Sequence, residues 1–255
     1  MWAVDPLPQA QILERGSLLF LYRPKADVAH AQGAADVEHL YLMLMPDDRE
    51  RHKSRVYLLS GISLPSPASG ERATALALDV DPDPRVAIDD LQEQAAQAPG
   101  PPWARIAGEG RYATFKHQVS TYLAYVLDRP EQPGPVQQAL HIEGQGNFQV
   151  WAKAPTAPSQ FEQARQPLYP SRLKNRFAGY EQVPLEPTDL LDYAGTQILL
   201  AAADPQAKHA LGLRLERDGQ NQRERQALQL LHKEERRAAQ EGVALFEPMA
   251  EGHWA

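Results

Sequence analysis

The apolar residues of this chain fall in short runs, each fenced by proline, glycine or aspartate. Leu18–Tyr22 is stopped by Pro24, Leu40–Met45 by Pro46-Asp47-Asp48, and Val56–Leu64 by Pro65-Ser66-Pro67. In Ala73–Val80, Leu76, Leu78 and Val80 alternate with Ala75, Ala77 and Asp79. Short apolar runs bounded by residues that break a ladder or turn the chain are the pattern of strands. None approaches the roughly 20 apolar residues that a membrane-spanning helix needs. Between residues 85 and 97, Ile88, Leu91 and Ala95 recur at helical spacing. Residues 98–102, Ala-Pro-Gly-Pro-Pro, end that helix, because proline lacks the N–H and clashes with the preceding turn.

The second half runs through similar signals in a similar order. Residues 111–117, 122–127, 148–154, 183–185 and 198–203 read as strands, and 136–142 as a short helix. Ser159-x-x-Glu162 fits a capping box, Pro170 suits the first turn of a helix over 171–177, and Thr188 can cap 189–193. Asp204-Pro205 opens a helix that Gly212 stops, and Asn221-x-x-Glu224 opens the longest, to Glu241. Gly16 parallels Gly110, Tyr41 and Pro46 parallel Tyr125 and Pro130, and Pro65 parallels Pro155. This suggests an internal repeat, four strands and a helix used twice. The strands follow one another too closely for βαβ crossovers. The expected fold is α+β: mostly antiparallel sheet built from two similar halves, helices packed on one side, and a C-terminal helix. The expected divisions are an N-terminal half 1–97, a linker 98–109, a second half 110–215, and a C-terminal helix and tail 216–255.

Composition bounds the chemistry. The 255 residues include no cysteine, so disulfides, thiol nucleophiles and cysteine-ligated metals are excluded. Lys and Arg number 26 against 33 Asp and Glu, a net charge of −7, which is not the footprint of a nucleic-acid binder. The first residues, Met-Trp-Ala-Val-Asp-Pro, carry no basic stretch followed by an apolar one, so no secretory signal is expected and the cytosol is the expected setting.

No P-loop, nucleophile elbow or H-E-x-x-H motif is present. Asp79-x-Asp81-x-Asp83 resembles the start of a calcium loop. Pro84 stands where the sharp turn needs glycine, so it reads as a turn before a helix. The eight histidines share no i, i+3 or i+4 spacing, and neither a metal nor a cofactor is expected. His117 is a candidate general base with Ser120 as its nucleophile, set against a plain hairpin connection over 118–120. Arg23 and Lys25 end the first strand, while Arg111 and Lys116 lie in its proposed counterpart. Were the halves to pair, these four cations would line a groove for a small anionic ligand.

The functional expectation is therefore a non-enzymatic binding or protein-interaction module. Self-association is expected through strand edges or the C-terminal helix. The alternative is an enzyme acting on a small anionic substrate in the groove between the halves.

Several strings point the same way. They are Gly16-x-Leu18-x-Phe20-x-Tyr22-Arg23-Pro24, Tyr122-Leu-Ala-Tyr125, Pro133-Gly134-Pro135-Val136-Gln137, Leu190-Leu-Asp-Tyr193 and the terminal Gly252-His253-Trp254. Together they resemble a family of uncharacterised bacterial proteins with no assigned activity. The resemblance spans most of the chain and implies one whole-chain unit, with no chemistry attached.

Overall fold

In the computed structural model, the described residues are 10–28, 30–48, 50–66, 70–96, 103–162, 164–203 and 244–254, with eight positions between 229 and 240. Strands dominate them. They are β1 (Gln11–Pro24), β2 (Val37–Pro46), β3 (Ser54–Leu59), β4 (Arg72–Asp81), β5 (Arg105–His117), β6 (Ser120–Arg129), β7 (Gln145–Lys153), β8 (Gln182–Pro184) and β9 (Gln197–Ala202). The helices are short: α1 (Pro84–Ala96), α2 (Pro135–Ala139), α3 (Ser171–Lys174) and α4 (Glu247–Glu251).

Every pairing is antiparallel, and the order β1-β2-β3-β4-β9-β7-β6-β5 returns to β1. Eight strands thus close on themselves. The ninth, β8, extends the β6 side of β7 past the point where β6 leaves it. Closure follows from the length of β5, which runs against β1 from Tyr22–Arg105 to Gln11–Lys116. All eight barrel strands send side chains to one buried cluster, among them Leu18, Leu42, Tyr57, Tyr112, Tyr125 and Leu200. An eight-stranded barrel is just wide enough to be filled in this way.

The continuous apolar runs are explained by burial on both faces. In β1, Leu18, Phe20 and Tyr22 point inward, while Leu19 and Leu21 join an outer cluster with Ile88 and Leu91 of α1 and Met249 of α4. In β2, Leu40, Leu42 and Leu44 point inward and Tyr41, Met43 and Met45 outward. Strands covered on both faces lose the apolar–polar alternation. The mouths are covered too. Val136, Leu140 and Ile142, in and after α2, close one end; Tyr169, Leu173, Phe177, Leu190 and Leu191, from the β7–β9 connection, close the other.

Gly16 and Gly110 sit where neighbouring strands come nearest. A Cβ on Gly16 would collide with the Met45 carbonyl oxygen, and one on Gly110 with that of Val126. The two lie symmetrically about the Ser17–Arg111 pair, Gly16 opposite Tyr112 and Gly110 opposite Leu18.

The α+β expectation is overturned. The strand positions match the punctuated runs, but they form one closed barrel and not two helix-covered halves. Propensity and periodicity fix that a segment is extended; they do not name its partner. β5 returns to β1 and starts no second sheet, so a repeat of α+β halves is not supported. The expected linker over 98–109 is also corrected in part: residues 105–109 are strand, and 98–102 lie outside the described residues. The capping box at Ser159 opens no helix; instead Phe161 N–H donates to Ser159 Oγ (3.0 Å) in a local turn. The helix expected at 204–212 lies outside the described residues, and the long one over 221–241 lies mostly outside them. Of that stretch, Ala238 packs with Trp103 and Leu245, and His232 stacks on Phe246 at 4.2 Å.

Gly16→Ala or Gly110→Ala should each lower stability by about 1–3 kcal/mol, the usual cost of overpacking. Urea unfolding should show it as a lower midpoint at unchanged slope.

Candidate functional site

Strand polarity sorts the chemistry to the two ends of the barrel. At the mouth where β1 and β3 begin and β5 ends, an ionic network is buried. Arg55, fully buried on β3, points inward with Tyr57 and Leu59, and its guanidinium meets two carboxylates. NH1 and NH2 donate to the two oxygens of Glu14 on β1 (2.6 and 2.9 Å). Nε and NH2 donate to Asp192 Oδ1 (3.1 and 2.7 Å). Tyr112 of β5 donates its hydroxyl to Glu14 Oε1 (2.6 Å). His52 Nδ1 lies 3.0 Å from Asp192 Oδ2 and 3.5 Å from Glu14 Oε2. Lys53 N–H donates to Asp192 Oδ1 (3.0 Å). Asp192 comes from the single 3-10 turn Thr188–Asp192 within the β7–β9 connection.

The electrostatics follow from this geometry. Burial alone would lower the pKa of Arg55, but the Glu14 carboxylate overrides it and holds the guanidinium charged, well above its usual value. Burial, with Glu14 next to it, pushes the Tyr112 hydroxyl well up, so it stays a neutral donor. Burial works to raise Asp192, yet the hydrogen bond from His52, the charge of Arg55 and the Lys53 N–H together hold it below its ordinary value. Buried ions are tolerated only when so fully bonded, because desolvation costs several kcal/mol per ion.

Thr188 Oγ1, His52 and Asp192 stand in the order of a nucleophile, base and acid. The hydroxyl is 3.5 Å from His52 Nε2, beyond a good bond, and Thr188 and His52 are buried. None of the three residues lines the cavities at 125–148 or 153–197. The network acts as a lock that ties β1, β3 and β5 to the turn covering that mouth.

The other mouth holds a cavity of about 390 Å³. Its walls are Tyr125 on β6, Phe148 on β7, Ile142, Pro65, Pro133 and Ala203. Gln137 anchors α2 there: its amide donates to Ala107 and Pro248 carbonyls (both 2.7 Å), and its oxygen accepts from Gly134 N–H (2.9 Å). Leu64 N–H donates to the Leu140 carbonyl (3.0 Å), which pins the β3–β4 loop over the cavity. Tyr125 and Phe148 stack with centroids 6.2 Å apart. Burial pushes the Tyr125 hydroxyl well up.

The four cations expected to share a groove are dispersed. Arg23 pairs with Glu38 (3.4 Å) at one end of the barrel, and exposed Lys25 follows it. Lys116 pairs with Glu186 (2.8 Å) at the other end, eleven residues along β5 from the position beside Tyr22, about 35 Å away. Arg111 lies between, donating to Ser17 Oγ and Asp47 Oδ2 (both 3.0 Å). His117 and Ser120 face each other as the last pair of the β5–β6 hairpin, which Gln118 turns with φ 53° and Val119 caps in solvent. Asp128, the carboxylate nearest in sequence, is at the far end of β6.

The network residues were missed, and two of them carried a readable signal. Continuing the inward alternation backward from Tyr57 reaches Arg55, and from Leu18 through Gly16 reaches Glu14. A charge at an inward strand position needs a buried partner. His52 and Asp192 carried no such signal, since both lie outside the strands. No family model matches the chain, no curated protein is similar to it, and no solved structure matches it.

Arg55→Ala should cost about 3–5 kcal/mol, since it leaves Glu14 buried without its cation; chemical denaturation reads this directly. Asp192 has a lowered folded pKa, so its contribution is complete above the unfolded value near 4 and fades as pH falls through it. The stability gap between the native protein and Asp192→Asn should therefore narrow as pH drops below about 4.

Proposed function

We propose that the protein is a non-enzymatic binding module that takes one small, largely apolar molecule in the cavity beside α2. One observation carries this reading: the cavity and the ionic network are at opposite mouths. A catalyst brings perturbed ionisable groups into its cleft. Here Arg55, Tyr112 and Asp192 are locked away from the cavity, whose described lining joins Tyr125, Phe148 and Ile142 to polar Gln138, Glu143 and Asn147; burial holds Tyr125 there as a neutral hydroxyl. Its size is within the range of small-molecule sites, and eight-stranded barrels are wide enough to hold one such ligand.

The enzyme alternative has no comparable support, since a closed barrel leaves no groove between halves for its anionic substrate. Association through strand edges is also left with little surface: among the described residues, closure leaves three-residue β8, ending in Pro184, as the exposed edge. A cytosolic setting belongs to this proposal. The fact behind it is narrower: no helix among the described residues is long and apolar enough to cross a membrane.

Thermal-shift screening with flat aromatic fragments should yield binders whose stabilisation rises with the logarithm of concentration. Ala203→Trp fills the cavity while keeping the Ala203 N–H bond to the Asn147 carbonyl. It should abolish the shifts with little change in Tm. A screen without binders, or binders that Ala203→Trp leaves intact, overturns the proposal.

A further inference from the structure

The charge at the rim of the cavity narrows what it takes. Among the described residues that line it, Glu143 alone carries a full charge, and neither lysine nor arginine is present. Glu143 is exposed, so its carboxylate can be reached by a ligand at the rim. Next to it, His141 holds a left-handed backbone (φ 54°) just past α2, a conformation uncommon for a residue with a Cβ. Its Nδ1 lies 3.1 Å from the Leu64 carbonyl, which can only accept. Nδ1 therefore donates in this contact, which fixes the ring at the rim. The rim thus offers the Glu143 carboxylate as an acceptor, in a lining that also holds the stacked Tyr125 and Phe148.

Resting on the binding proposal above, we infer that the cavity selects a small-molecule amine: a flat apolar body inside and a protonated amino group at Glu143. The volume of about 390 Å³ has room for roughly a dozen waters, or a ligand of about 10–15 heavy atoms. The net charge of −7 adds a field that favours cations. An anionic ligand would meet the Glu143 carboxylate with no cation among the described lining residues to offset it.

Tryptamine, tryptophol and indole-3-acetate share one ring system and differ in the charge of the head group. Calorimetry at pH 7 should rank them in that order, tryptamine about fivefold tighter than tryptophol through the ion pair with Glu143. Glu143→Gln should bring tryptamine close to tryptophol and leave tryptophol unchanged. Glu143→Lys should turn the preference toward indole-3-acetate. If all three bind alike, or the Glu143 variants leave the ranking intact, amine selection is refuted while binding in the cavity stands. If none binds while other aromatic fragments do, this ligand class is refuted alone. If no aromatic compound binds at all, the binding proposal falls, and this inference with it.

Discussion

The return of β5 to β1 is the constraint on which the rest of the molecule depends. That ladder turns a run of hairpins into a closed cylinder, and closure requires adjacent strands to approach with nothing between them at two positions. Gly16 and Gly110 supply those positions on either side of the Ser17–Arg111 pair. Once the cylinder is closed, inward and outward are defined for each strand. Leu18 and Leu42 go to the interior, and Leu19 and Met43 go beneath α1 and α4. Closure also satisfies the backbone groups that an open sheet would leave at its edges.

The two mouths are then free to differ. One is sealed by ions, with Arg55 between Glu14 and Asp192, and Tyr112 and His52 taking remaining lone pairs. An ion triad of this kind adds little net stability compared with apolar packing, but it is intolerant of losing a member. Its geometry also imposes a register, since β1, β3, β5 and the 3-10 turn must all be in place for each bond to form. The other mouth is sealed by α2 and the β3–β4 loop through backbone bonds and Gln137, and the cavity lies beneath that looser cover. The separation keeps the Arg55 network apart from the cavity, whose rim carries the exposed Glu143.

Much of the element map was legible from the residues. Proline, glycine and aspartate mark where β1, β2, β4, β6 and β7 stop, because proline cannot donate to a ladder and the other two favour turns. Helix α1 was legible from its period. The Ser159 capping box misled, because Ser159 can bond a nearby N–H in a turn as readily as at a helix start. The grouping of Arg23, Lys25, Arg111 and Lys116 failed for a topological reason. Antiparallel pairing of β1 with β5 sends the end of one strand to the start of the other, so cations at corresponding ends are carried apart. The rim at His141 and Glu143 was not legible, because Leu64, whose carbonyl accepts from His141, is remote in the chain and reaches it across the barrel mouth.

Local chemistry in the chain settled which segments are extended and where they turn, and the sequence carries no cysteine, phosphate-loop motif or nucleophile-elbow motif. Those are properties of neighbouring residues, within reach of steric and hydrogen-bonding rules. Folding in three dimensions settled the partner of each strand, the closure of the sheet, the meeting of Glu14, Arg55 and Asp192, and the distance between that lock and the cavity. These rest on contacts between residues far apart in the chain, such as Arg55 with Asp192, 137 positions away. No local preference encodes such a contact, because its free energy is realised only when the whole barrel has formed.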